Sequence, residues 1–330
     1  MIHSSTQSPR GGGPDMRRML AGAGGPVLGL LFVAVTFTAL IGAQFLFPGN
    51  LELIARQTAI VSAAALGMTV VIVSGGIDLS VGSVVALTTV VIALLLGQGW
   101  PPLTAALAGV GAGAVCGIVN GVLITGLRVV PFIVTLGTMI LVRGAAKGLA
   151  EERRIEAPQT WLNDLLRATA PDEGGLLPAG VWLVLVLAIL IAAILRYTPF
   201  GRHVFAIGSN ERTARLCGVA VNRDKIVIYI IGALFAGIAG VLQFARLSVG
   251  DPTVADGLEL DVIAAVIIGG GSLSGGRGTV LGTLLGATTM AVIQIGCAQR
   301  GYPNWVQQIV TGAIIVLAVA LDRWRQKQSA

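Results

Sequence analysis

Residues Leu53–Gly97 read LIARQTAIVSAAALGMTVVIVSGGIDLSVGSVVALTTVVIALLLG, two long apolar runs on either side of the break Ser74-Gly-Gly-Ile-Asp-Leu-Ser-Val-Gly-Ser83. Each run approaches the roughly 20 residues that carry a helix across a bilayer. Between them the chain stops at Gly75 and Gly76, meets Asp78 and resumes as a new apolar run. Irregular backbone at membrane depth must be satisfied by protein or water, so such a break is expected to line a cavity. Asp78 with Ser80 and Ser83 also reads as a helix N-cap region, where a carboxylate complements exposed backbone N–H groups. Capping and direct solute contact are both open readings of Asp78.

The same texture extends along the chain. Of 330 residues 55% are hydrophobic and 12% charged, against roughly 25% charged in a soluble domain. The mean hydropathy is +0.86. Apolar runs recur at 26–47, 53–73, 80–97, 102–125, 131–149, 181–196, 225–247, 258–273, 277–297 and 304–321. The expected fold class is therefore an all-α polytopic membrane protein of about ten transmembrane spans, broken or re-entrant helices included. A membrane β-barrel is excluded, because runs such as Val181–Leu195 do not alternate. The 46 glycines suit close helix packing in lipid.

Chemistry that needs clustered side chains has little material. Cys116, Cys217 and Cys297 lie far apart with no metal-ligand spacing, and the two histidines, His3 and His203, sit in a tail and a basic loop. No nucleophile–base or metal-ligand cluster is visible, so the expectation is a non-catalytic chain. The pI of 9.8 does not signal nucleic acid, since the basic residues are separated by spans. They follow the positive-inside rule instead.

That rule organises the chain. A flexible tail at 1–25, the loop 197–224 and a basic tail at 323–330 are all expected to be cytoplasmic, the two tails flanking and the loop interrupting one membrane domain over 26–322. Six spans separate the first basic segment from the second and four the second from the third, both even as the topology requires. The segment 151–180 carries mixed charges and the amphipathic-looking Trp161-Leu-Asn-Asp-Leu-Leu166. It is expected outside, as a connector or a docking surface for an outer partner.

A second break, Gly269-Gly-Gly-Ser-Leu-Ser-Gly-Gly-Arg-Gly278, precedes the run from Thr279. It shares a Gly-Gly, Leu-Ser, Gly pattern with the first. Paired broken helices in corresponding halves point to a substrate path, so Gly75, Gly76, Asp78, Ser80, Gly270, Gly271 and Ser274 are candidate path or break residues. Gly271-x4-Gly276-Arg277 is not a P-loop, because Arg replaces Lys and Gly278 stands where Ser or Thr would hold magnesium. Leu273-Ser-Gly-Gly276 imitates a nucleotide-cassette signature, yet it lies between membrane runs. The chain is not expected to hydrolyse ATP by itself.

In the loop 197–224, Asn210 can cap a short helix through Glu211, Ala214 and Arg215 that ends at Gly218, with its acid early and bases late. Such a helix between two spans is a suitable lever for motion from a soluble motor. Polar residues in or beside spans are few: Gln44, Arg56, Gln57, Asn120, Gln243, Arg246, Asp261 and Gln294. They are expected to face protein or a water-filled path. Asn120, between Gly117 and Gly121, faces either the path or another helix. A polar but largely uncharged path suits neutral hydroxylated solutes better than ions. Glu259 and Asp261, near the outer end of their span, read as structural.

These residues resemble the membrane permeases of ribose, xylose and arabinose ATP-binding cassette importers, a branch that also resembles the branched-chain amino acid permeases. The resemblance covers residues 50 to 321 and is strongest in Gly76-Ile-Asp-Leu-Ser-Val-Gly82, Phe200 to Gly218, and Leu258 to Gly278. It implies a homodimer in the bacterial inner membrane, joined to a cassette ATPase inside and to a secreted or periplasmic sugar-binding protein outside. ATP is then used by the partner, with no cofactor bound by this chain and no nucleic acid involved. Glu211, Ala214 and Gly218 resemble the coupling loop of importers, although Arg212 and Thr213 depart from its small residues. The implied activity is import of a monosaccharide or related polyol by alternating access. The alternatives are a nucleoside or branched-chain amino acid permease of the same architecture, or a self-sufficient secondary carrier or channel, for which intramembrane charges are sparse.

Overall fold

The computed structural model describes residues 16–168 and 177–329. The readings that rest on residues 1–15 and on Pro171, Asp172 and Glu173 lie outside the described residues, as do the side chains of Arg17, Arg18, Arg323, Arg325 and Lys327.

Proline and glycine punctuate the chain into helices. α1 (Met16–Ile41) stops at Gly42, whose φ of 100° leaves helical geometry, and a 3-10 turn at Ala43–Leu46 follows. α2 (Pro48–Val73) then starts on a proline, whose missing N–H costs nothing at a helix start. The expected run 26–47 is thus divided, and Phe45 turns inward instead of continuing the helix. Beyond the first break come α3 (Val81–Gly97), α4 (Pro102–Leu127) and α5 (Pro131–Leu149), the last two again opened by proline. A two-residue strand β1 (Ile155–Glu156) and the short α6 (Trp161–Asp164) occupy the expected outer segment. α7 (Ala179–Tyr197), α8 (Pro199–Ser209), α9 (Glu211–Leu216) and α10 (Val221–Leu247) lead to β2 (Val249–Gly250). α11 (Leu258–Ile268), α12 (Val280–Gln299) and α13 (Asn304–Ser329) complete the fold.

Each expected apolar run falls wholly or partly on a helix, and among the described residues seven helices are long and apolar enough to cross a membrane: α1, α2, α4, α5, α7, α10 and α12. α3 has 17 residues and α11 only 11, because the helix ends at Gly269 and Gly270, the latter at φ 89°. The run 258–273 is therefore a short helix plus irregular chain. The 323–330 tail is helical as far as Ser329.

α2 forms the centre. Every residue from Ala59 to Val73 is buried, the signature of a helix that is apolar all round and enclosed by protein. α10 lies against α2, α3 and α4, while α12 lies against α1, α2 and α11. Gly109, Gly113, Gly117 and Gly121 make a stripe at every fourth position of α4. A Cβ at Gly117 would stand 2.7 Å from Ile230 Cα, and one at Gly121 2.7 Å from Ile226 Cα. Small residues bring these backbones together where lipid supplies no hydrophobic drive for association. Large apolar side chains of α1, α4, α5 and α7 point outward, including Phe32, Leu141 and Ile189. This surface suits lipid rather than water.

β1 pairs antiparallel with β2, Ile155 opposite Gly250 and Glu156 opposite Val249. Arg154 Nε donates to Asp251 Oδ2 at 2.8 Å alongside this pairing. Thr160 and Asn163 form a capping box on α6, which buries Leu162. The 19 residues of α7 span roughly 28 Å. Hence α8 and α9 sit at the opposite end of the bundle from β1, β2 and α6.

Candidate functional site

The first break is built around Asp78, Ser80 and Asn120, all fully buried. Asp78 Oδ1 accepts from the Ser80 backbone N–H at 2.8 Å and from Ser80 Oγ at 2.6 Å. Asn120 Nδ2 of α4 donates to Ser80 Oγ at 3.0 Å. One hydroxyl therefore joins the break to a neighbouring helix. The N-cap residue of α3 is Ser80, with no side-chain cap bond, so Asp78 closes a local turn instead of capping the helix start. Asn120 is buried, and its side chain reaches from α4 to the start of α3. Thr135 Oγ1 of α5 donates to the Ile77 carbonyl at 3.2 Å, and the Tyr229 hydroxyl lies over Gly76. Sequence reasoning missed Tyr229 and Thr135, because other polar residues share their apolar runs and nothing local set these two apart.

The two breaks meet, as their spacing of nearly 200 residues could not reveal. Gly276 N–H donates to the Val73 carbonyl at 2.8 Å, and a Cβ at Gly275 would stand 2.9 Å from Gly75 Cα. Gly208, near the end of α8, packs at the same point, where any side chain would collide with the Val73 carbonyl and Gly276 N. Backbones from α2, the second break and α8 thus touch without intervening side chains. Gly271 is buried beside Val266, whereas Gly75, Gly270 and Ser274 are exposed. Ser274 N–H donates to Ser272 Oγ at 3.3 Å, holding the second break as a compact turn.

α9 continues from α8 through Asn210, whose Oδ1 accepts from Thr213 N–H at 2.9 Å. Ala214 is buried against Ile207 and Val221, while Glu211, Arg215 and Gly218 face outward. Gly218 has a φ of 86°, a left-handed turn that ends the element. Lys225 Nζ stands 2.7 Å from Glu211 Oε2, and Arg215 Nη2 3.3 Å from Glu211 Oε1. Burial pushes the Glu211 carboxyl up, but Lys225 and Arg215 outweigh this and hold it below its ordinary value. The Lys225 pair ties α9 to the start of α10, and the Arg215 pair lies within α9.

Polar side chains elsewhere in the bundle are joined in a chain. Gln57 Nε2 donates to Gln294 Oε1 at 2.9 Å, and Gln294 Nε2 donates to Asp261 Oδ2 at 2.6 Å. Arg246 donates to Gln57 Oε1. α2, α10, α11 and α12 are thereby linked.

Membrane-length helices surrounding interrupted ones, with buried polar groups at the interruptions, make the build of a membrane transport protein. Residues 50–319 match the family described as branched-chain amino acid transport system / permease component, and the chain belongs to that family. It is 37% identical over 296 residues to the ribose import permease protein RbsC of Escherichia coli strain K12, covering 90% of this chain and 92% of that protein. Identity to the Bacillus subtilis strain 168 ribose import permease protein RbsC is 40% over 300 residues, 91% of this chain and 92% of the relative. The fructose import permease protein FrcC of Rhizobium meliloti is 33% identical over 311 residues, 92% and 86% of the two chains. No solved structure is significantly similar.

Proposed function

We propose that this chain is the permease subunit of an ATP-binding cassette importer that carries a monosaccharide or related polyol across the bacterial inner membrane by alternating access. The observation that carries this reading is similarity over nine-tenths of the chain to permeases named for ribose import. The proposed assembly is two copies of the chain in lipid, a cassette ATPase on the side of α8 and α9, and a sugar-binding protein on the side of β1, β2 and α6. α3, α11 and α13 would bring the seven long helices to ten spans, with both termini cytoplasmic.

Coupling is proposed to run through α9 and α8. A push on Ala214 and Glu211 from the ATPase would reach Gly208, which abuts the Val73 carbonyl and Gly276 N. Contact made through backbone has no side-chain rotamer to absorb a displacement, so movement of α8 would shift both breaks together.

The test is ATP-driven uptake in proteoliposomes containing the permease, its ATPase and its binding protein, with radiolabelled D-ribose, D-fructose and L-leucine. Sugar uptake that requires all three components is expected. Uphill transport by the permease alone, driven by a proton or sodium gradient, would overturn the reading; leucine transport without sugar transport would replace sugar by amino acid.

A further inference from the structure

A cavity of about 250 Å³ lies between α3, α5 and the segment leading into α11. Its walls include Ser83, Ile140, Arg143, Lys147, Asp256 and Glu259. Along α5 the lining runs from Met139 to Lys147, roughly 12 Å of helix. Lys147 is two residues from the end of α5 that leads to β1, so the cavity descends from the end of the bundle that carries β1, β2 and α6. It is smaller than the roughly 300–1,000 Å³ of sites for drug-sized ligands and fits a small solute.

Two wall groups lack partners. Ser83 is fully buried and Glu259 is 8% exposed, yet neither Ser83 Oγ nor Glu259 Oε2 has a hydrogen-bond partner among the described residues. Such groups cost free energy unless something supplies a donor. Both line the cavity, and Glu259 Oε2 rests over Gly82, the residue before Ser83, where an added side chain would collide with it and with the Ala255 carbonyl. Glycine at 82 is thus what admits the carboxylate to the first turn of α3.

The charge pattern selects the kind of solute. Arg143 and Lys147 balance Asp256 and Glu259, so the walls carry no net formal charge. Arg143 Nη1 is already engaged, donating to the Pro252 carbonyl at 3.1 Å and the Val254 carbonyl at 2.6 Å. It holds the segment before α11 in place and is poorly placed to clamp an anionic ligand. What the cavity offers is acceptors in need of hydroxyl donors beside the apolar surface of Ile140. A neutral polyol matches that set; Lys147 is the wall cation that could meet a carboxylate, so a zwitterion is the competing occupant that the transport test separates.

We propose that this cavity is a solute site within the permease, in which Glu259 Oε2 and Ser83 Oγ accept hydroxyl protons from a small neutral sugar after its release from the binding protein. The inference rests on the importer reading above. A site of this kind makes delivery productive: each power stroke moves a solute that is already held, and the stroke runs empty when it is not.

The measurement is D-ribose imported per ATP hydrolysed, in proteoliposomes holding the complete importer. Glu259→Gln is expected to lower that ratio about ten-fold, the size of losing the charge on one hydrogen-bond acceptor, and Ser83→Ala about five-fold. Ser83→Thr, which keeps the hydroxyl, should recover most of the ratio. A purely structural role would reduce uptake and hydrolysis together and leave the ratio unchanged, which would overturn the proposal. Wild-type ratios in Glu259→Gln and Ser83→Ala alongside active sugar import sink the cavity alone. Failure of the wild-type importer to move any sugar sinks the importer reading and this one with it, and L-leucine transport that collapses in Glu259→Gln would reassign the site to an amino acid.

Discussion

Ser80 is the hinge of the first break, and removing its hydroxyl has a calculable effect. Ser80→Ala deletes two hydrogen bonds at once, the 2.6 Å donation to Asp78 and the 3.0 Å acceptance from Asn120. Inside a membrane protein a side-chain hydrogen bond is worth about 0.6 kcal/mol on average and up to about 1.7. The variant should therefore lose about 1–3 kcal/mol. Asn120→Ala deletes one of the same bonds and opens a small void. Because the Ser80–Asn120 bond is shared, the double variant should be destabilised by about 0.6–1.7 kcal/mol less than the sum of the single variants. The assay is reversible unfolding in mixed micelles titrated with dodecyl sulfate, followed by far-UV circular dichroism for the four chains of the cycle. Additivity within about 0.3 kcal/mol would refute the shared bond.

Two further outcomes follow from the packing and the charges. Gly286→Ala would drive a methyl into the Ala265 carbonyl, a backbone group that cannot rotate away, so α11 and α12 must separate at a cost of about 1–3 kcal/mol; Gly111→Ala, with open space around it, should change little in the same titration. Glu211 is held below its ordinary value against the opposing effect of burial, so its contribution to anchoring α9 is complete above about pH 4.3 and lost as pH falls through the lower folded value. Hydrogen exchange of residues 213–216 should be slower in wild type than in Glu211→Gln near neutral pH and equal in strong acid; a difference that persists in acid would refute the ion-pair account.

Much of the helical layout was legible because local rules suffice for it. Unbroken apolar runs placed α2, α4, α5, α7 and α10 within a few residues of their observed bounds. Asn210 was readable as a cap because its partner, Thr213 N–H, is three residues away. Asp78 read as a cap for the same local reason, yet its bonds go to Ser80 while the helix start carries no side-chain cap. The length of α11 was overestimated, because composition registers apolar chain whether or not it is helical.

Composition and periodicity by themselves determined that the chain lives in lipid, that its helices are interrupted at two glycine-rich points, and that a capped helix lies between α8 and α10. Those properties depend on residues a few positions apart. Only the tertiary structure decided that both interruptions meet Gly208, that Asn120 bonds to Ser80, and that Glu259 settles over Gly82 beside Ser83. These contacts join residues 40 to 200 positions apart, and their existence turns on backbones approaching at sites where a single methyl group would keep them separate.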